Sequence, residues 1–357
     1  MLSPAFLRHR AQNPRRTRAL ALAALLLVAL GTGLALSGCG TAENEAKPET
    51  TLDVGLVFDI GGRGDKSFND AAFAGLDSAA KHLGIGFEYI EPGEGGDRES
   101  ALRQLAAGPS QLIFGVGFLF SDDIKTVAQE FPEKQFACID MNVAGGEVLP
   151  ANLVALKFKE EDGSFLVGAL SGLVTKTNTV GFLGGMEIPL IKKFEAGYAA
   201  GVKHVNPQAR VLVKYAGAEA KAFKDPTKGK ELGFAMYGDG ADIVYHASGS
   251  TGLGLFEAAK ERDKLAIGVD SDQYDSMPGN ILTSMVKRVD VAVYETIHEV
   301  LENRFSGGAV RVYGLTEGGV DYVYNADNAD LIPASAHERV ETIRRQIVAG
   351  EIVPPAD

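Results

Sequence analysis

Short apolar runs rich in β-branched and aromatic residues recur along most of the chain: VGLVF (54–58), LIFGVG (112–117), FACID (136–140), VGFLGG (180–185), VLVKY (211–215), DIVYHA (242–247), LAIGVD (265–270) and ILTSMV (281–286). Between them lie stretches with helical spacing. From Phe68 the apolar or small positions are 68, 71, 72, 75, 76, 79, 80 and 83, the i, i+3, i+4, i+7 series of one helix face. Ser67 and Asp70 stand at capping-box spacing, so this helix is predicted to begin at or near Ser67. Strands alternating with helices predict parallel sheets flanked by helices. From residue 53 the chain runs for about 305 residues, more than one core usually holds, so two α/β domains are expected.

The N-terminus departs from this pattern. Residues 1–38 hold five arginines and no acid, and the apolar run ALALAALLLVALGTGLALSG ends at Cys39, which reads as a secretory signal. Leu36-Ser37-Gly38-Cys39 resembles the lipobox of bacterial lipoproteins, in which the cysteine is lipidated and becomes the new N-terminus. An ordinary signal peptide or an uncleaved anchor helix is the alternative, and Arg15-Arg16 fits a twin-arginine signal poorly. Residues 39–51 are polar and read as a flexible tether. Removal of the signal takes the net charge from −12 to −17. Nucleic acid is therefore an unsuitable partner, and attachment to a membrane would rest on the lipid and not on a basic patch. Cys138, in the apolar FACID, is expected to be a buried lone thiol, with no disulfide framework.

In open parallel sheets ligands bind beyond the carboxyl ends of the strands. DIGGRGDK (59–66) follows the first strand, and Asp140-Met141-Asn142, the run from His246 to Gly252, Asp270-Ser271-Asp272 and Lys287-Arg288 end others. Two lobes with such loops facing each other would form the cleft of a dehydrogenase, a kinase or a clamshell binding protein. The phosphate reading of GGRGDKS is weak, because Asp65 separates Gly64 from Lys66 and both Asp59 and Asp65 would repel an anion. An adhesive Arg63-Gly64-Asp65 is weaker still, since the tripeptide arises by chance. The histidines are scattered singly, and no zinc, calcium or magnesium spacing and no serine nucleophile elbow is present. No cofactor is expected.

VGLVFDIGGRGDKSFND (54–70), GSFLVGALSGLVTKTNTVGFLGG (163–185), FEAGYAAGVKHVNP (194–207), DPTKGKE (225–231), IGVDSDQ (267–273) and TSMVKRVD (283–290) closely resemble the basic membrane protein family. Its members are bacterial lipoproteins that include the purine nucleoside receptor of an ABC importer. The resemblance implies a type I periplasmic-binding-protein clamshell, two doubly wound α/β lobes joined by three hinge crossings. The expected first lobe is 52–143 with 276–308, and the second is 144–275 with 309–357.

The resemblance also implies roles. Phe68 and Phe194 would stack on the base, and Asn69 and Asp140 would bond its edge. Asp59, Asp270 and Lys287 would hold the ribose, and Ser250, Thr251 and the neighbouring glycines would bring amides to the sugar. The implied protein is a monomeric, lipid-anchored receptor on the extracytoplasmic face of the cell membrane that delivers guanosine, inosine or adenosine to ABC permease subunits. A receptor for a sugar or another small polar ligand is the alternative, and a nucleoside hydrolase or phosphorylase the alternative from a different class.

Overall fold

A computed structural model describes residues 52–92 and 97–357 of the chain. The signal, Cys39 and the tether lie outside the described residues. In chain order the described part begins with β1 (Asp53–Val57), α1 (Phe68–Leu83), β2 (Gly86–Ile90), α2 (Arg98–Ala107), β3 (Leu112–Val116), α3 (Ser121–Glu130), β4 (Gln135–Ile139) and β5 (Leu153–Phe158). It continues through α4 (Glu160–Val174), β6 (Thr179–Met186), α5 (Pro189–Val205), β7 (Arg210–Gly217), α6 (Pro226–Gly238), β8 (Ile243–Ala247), α7 (Thr251–Glu261), β9 (Leu265–Asp270) and β10 (Ile281–Lys287). It ends with α8 (Val289–Leu301), β11 (Val310–Tyr313), β12 (Val320–Tyr322) and α9 (Ala334–Val348).

Among the described residues the strands form two six-stranded sheets, in the orders β11-β5-β4-β3-β1-β2 and β12-β10-β9-β8-β6-β7. Each of their pairings is parallel except that of β10 with β12. Helices cover both faces of each sheet, which is why central strands such as LIFGV (112–116) and IVYHA (243–247) are apolar throughout. In the first lobe α1 and α8 close one core and α2 and α3 the other. In the second, α4, α5 and α9 pack on one face and α6 and α7 on the opposite one. Helices α4 and α5 approach closely: a Cβ at Gly201 would stand 2.1 Å from the Phe165 carbonyl oxygen, and one at Gly168 2.2 Å from that of Tyr198. This is the expected two-lobe clamshell.

The chain crosses between the sheets three times, after β5, after β10 and between β11 and β12. These points differ from the expected lobe boundaries. Strand β5 pairs with β4 and β11 with β5, so 153–158 and 310–313 belong to the first sheet. Strand β10 pairs with β9, so 281–287, Lys287 included, belongs to the second. The boundary at 143 fell in a polar loop that only turns the chain back into the same sheet.

Candidate functional site

The loop after β1 carries positive φ at Gly61, Gly62, Gly64 and Lys66, a run of left-handed steps that glycine permits at low cost. Two carboxylates hold it. Asp65 accepts from the backbone N–H groups of Ser67, Asn69 and Asp70, at 2.9, 2.8 and 3.1 Å. Asp70 reaches back to the N–H groups of Gly64 and Lys66, both at 3.0 Å. The amides that a phosphate would need are therefore occupied by acids. Asp65 is buried, so Arg63-Gly64-Asp65 is not presented for adhesion. Arg63 lies over the Phe73 ring at 3.4 Å and pairs with Asp70.

Two expectations change here. Ser67 precedes α1 but makes no capping bond with its side chain. Asp65 caps instead, and the Ser67 hydroxyl donates across the cleft to the Asp270 carboxylate at 2.5 Å and the Val269 carbonyl at 3.3 Å. Asn69 is buried, and its amide is used within the loop: Oδ1 accepts from the Asp59 N–H at 2.9 Å, and Nδ2 donates to Asp65 at 3.0 Å. It does not line the cleft cavity.

That cavity is a half-open space between the strand ends of the two sheets. Asp59, Phe68, Phe118 and Asp140 come from the first lobe, and Phe194, Phe223, Ser248, Asp270 and Lys287 from the second. Asp140 and Asp270 follow or end β4 and β9, and both are left-handed, with φ of 60° and 65°. Non-glycine residues in that region cost of order 1 kcal/mol and cluster at functional sites. The Lys287 ammonium stands 5.0, 5.0 and 5.6 Å from the ring centres of Phe68, Phe158 and Phe194. It bonds Asp140 Oδ2 at 2.5 Å and pairs with buried Glu160 at 3.3 Å. Phe118 and Phe223 meet edge to face across the cleft, with centres 6.4 Å apart.

The electrostatics favour an uncharged ligand that donates hydrogen bonds. Burial pushes Asp59 up to about 7 and Asp270 up to about 6, although the Ile60 N–H and Lys287 respectively oppose it. Asp140 is also raised, by burial against the pull of Lys287. Burial lowers the affinity of Lys287 for its proton, but Asp140, Glu160 and Asp270 outweigh it and hold the ammonium firmly charged. Asp140 Oδ1 is buried with no hydrogen-bond partner among the described residues, an acceptor open to a ligand donor.

Of the eight candidate ligand positions, Asp59, Phe68, Asp140, Phe194, Asp270 and Lys287 line this one cavity, whereas Asn69 and Ser250 do not. The Ser250 hydroxyl is turned to the Phe223 carbonyl at 3.2 Å, and that of Thr251 to the Ala222 carbonyl at 2.8 Å. Sequence reasoning missed Phe118 and Phe223, in single 3₁₀ turns, and chose Ser250 where Ser248 faces the cavity. The strand-end rule points to Phe118 and Ser248, each at the second residue beyond its strand or nearer. Among the described residues there is no cluster suited to a metal ion, and no helix is long and apolar enough to cross a membrane.

Residues 53–357 match the Bmp family, described as ABC transporter substrate-binding protein PnrA-like. The chain is 35% identical to the CD4+ T-cell-stimulating antigen of Listeria monocytogenes, over 96% of this chain and 99% of that one. It is 32% identical to the ABC transporter nucleoside-binding protein BmpA of Lactococcus lactis, over 93% of this chain and 98% of that one. The crystal structure of an ABC transporter solute-binding protein from Aeropyrum pernix K1 superposes with a TM-score of 0.76 at 32% identity, covering 86% of this chain and 94% of that one. The chain thus belongs to the Bmp family of ABC transporter substrate-binding proteins, which are receptors and not enzymes.

Proposed function

We propose that this protein is a lipid-anchored receptor that captures a purine nucleoside in the cleft between its lobes and delivers it to ABC permease subunits on the extracytoplasmic side of the membrane. The observation that carries this reading is the make-up of the cavity: Phe68 and Phe194 bring aromatic rings to its wall, while Asp59, Asp140 and Asp270 offer acceptors at strand ends of both lobes. Flat heterocycles stack on such rings, and carboxylates take paired hydrogen bonds from vicinal hydroxyls. The ammonium of Lys287 is engaged by acids, which disfavours a phosphorylated ligand. The Lactococcus relative, named as nucleoside-binding, supports the same class.

Mass spectrometry of ligand released on denaturing gently purified protein tests this directly, and a purine nucleoside is expected. Calorimetry then places the sugar. Asp270→Ala should weaken guanosine while sparing guanine, because leaving a sugar hydroxyl unpaired costs about 1 to 3 kcal/mol. Equal losses for both would remove the ribose from Asp270. Binding of a free sugar with no response to guanosine, inosine or adenosine would replace the ligand class altogether.

A further inference from the structure

A buried chain of hydrogen bonds leads from the cavity wall to the opposite lobe. The Ser248 hydroxyl lies 3.3 Å from His246 Nδ1, His246 Nε2 lies 3.1 Å from Gln273 Oε1, and Gln273 Nε2 donates to the Lys66 carbonyl of the first lobe at 3.0 Å. All three side chains are at most 2% exposed. Backbone groups at either end settle its polarity. Gln273 Oε1 also accepts from the Val269 N–H at 2.8 Å, a group that can only donate, and the Lys66 carbonyl can only accept. The amide orientation is therefore fixed, and with it the ring: Nε2 must carry the proton to donate to Oε1, which leaves Nδ1 as an acceptor. The Ser248 proton is drawn to Nδ1, so only its lone pairs face the cavity.

Two glycines make room for this arrangement. A Cβ at Gly252 would stand 2.0 to 2.4 Å from ring atoms of His246, and one at Gly268 would stand 2.8 Å from Gln273 Oε1. Burial holds His246 down at about 4, so it is neutral at physiological pH and the polarity does not reverse. Gln273 further donates its own N–H to Ser284 Oγ at 3.0 Å, which ties the amide to β10.

We propose that Ser248 is a specificity-determining residue that reads a hydroxyl or exocyclic amino donor of the ligand as an obligate acceptor, with His246 and Gln273 as positioning residues that set this polarity and tie it to lobe closure. The class of donor rests on the ligand being a nucleoside. The polarity of the relay does not.

Calorimetry with guanosine, its 2′-, 3′- and 5′-deoxy analogues and inosine, each analogue lacking one donor, tests the reader. Ser248→Ala should weaken guanosine roughly tenfold and abolish the penalty that the parent imposes on one of the four analogues. Retention of the full pattern of penalties overturns the assignment. Gln273→Glu keeps the oxygen that faces His246 but exchanges the donor to Lys66 for an acceptor. It should weaken all five ligands by a similar factor through faster dissociation, and an altered ranking of the ligands overturns its role as a tie between lobes. Nitrogen-15 NMR of histidine-labelled protein needs no ligand: His246 should show the Nε2–H tautomer and no titration between pH 5.5 and 8. An Nδ1–H tautomer overturns the inference whatever binds. Failure of the parent to bind any nucleoside would refute the proposed function alone, since the tautomer still decides the relay.

Discussion

Asp59→Asn isolates the cost of keeping an acid in the cleft. The carboxyl faces the cavity, accepts from the Ile60 N–H at 2.7 Å, and sits where a Cβ at Gly117 would be only 2.2 Å from its oxygen. Its value rises from an ordinary 3.8 to about 7 because burial disfavours the charge. The folded state thus holds this proton more tightly than the unfolded chain. Stability from it is fully present below about pH 4 and is lost as pH rises through about 7. The whole difference corresponds to roughly 4 kcal/mol, a ceiling that water in the cavity lowers. Asparagine keeps the acceptor for Ile60 and never ionises. Protein freed of ligand by unfolding and refolding should therefore show only a small gap in melting temperature with and without the substitution at pH 4.5. At pH 7.5 the variant should melt several degrees higher, since about 1 kcal/mol moves a domain of this general size by a few degrees. A gap that does not change with pH, or one that favours the parent at pH 7.5, would refute the reasoning. A ligand that donates to Asp59 favours the ionised form, so binding near pH 6.5 should release protons, which calorimetry in buffers of different ionisation enthalpy detects.

Phe194→Ala should weaken guanosine, inosine and adenosine alike, about tenfold to a hundredfold, because a stacked ring contributes roughly 1 to 3 kcal/mol per base; titration of the three nucleosides checks it. Lys287→Met leaves Asp140 buried without its cation, while Glu160 keeps Lys193 at 2.6 Å, a loss of about 3 to 5 kcal/mol by denaturant unfolding at pH 7.5. That loss should shrink as pH falls, because burial already raises Asp140 and removing Lys287 takes away the charge that opposes the rise. Gly201→Ala forces α5 away from the Phe165 carbonyl and should cost about 1 to 3 kcal/mol by denaturant unfolding. Cys39→Ser should leave the protein unlipidated, and fractionation should find it released or unprocessed.

The eight apolar runs read from the sequence coincide with eight of the twelve strands, because burial on both sheet faces leaves an unbroken apolar signature. The four missed strands have different causes. Strand β2 (GFEYI) is an edge with Glu88 and Tyr89 exposed, β11 alternates over four residues, and β12 spans three. Strand β5 (LVALKF) is apolar and buried, and overlooking it displaced the first lobe boundary. Sheet membership was not legible at all: β10 reads like any parallel strand, and only its pairing with β9 assigns it to the second lobe. Within the site, strand-end acids and the ring residues Phe68, at the start of α1, and Phe194, within α5, stood out. The fate of Ser67 and Asn69 did not, because either can serve the loop or the cleft. Asp65 decided it by taking the capping amides, which freed the Ser67 hydroxyl to reach Asp270.

The threefold crossing governs when the protein can fold as well as how it closes. The first lobe needs α8 against α1, and β11 against β5, before its sheet and core are complete. Those elements end at Tyr313, and the second lobe is completed by β12 and α9, both of which lie beyond that residue. Neither lobe can finish while only the N-terminal half of the chain is available. Contacts this distant in sequence form slowly because the intervening loop must first be closed. A polypeptide passed across a membrane from its N-terminus would accordingly remain threadable until almost all of it had emerged, and both lobes would then complete together on the far side.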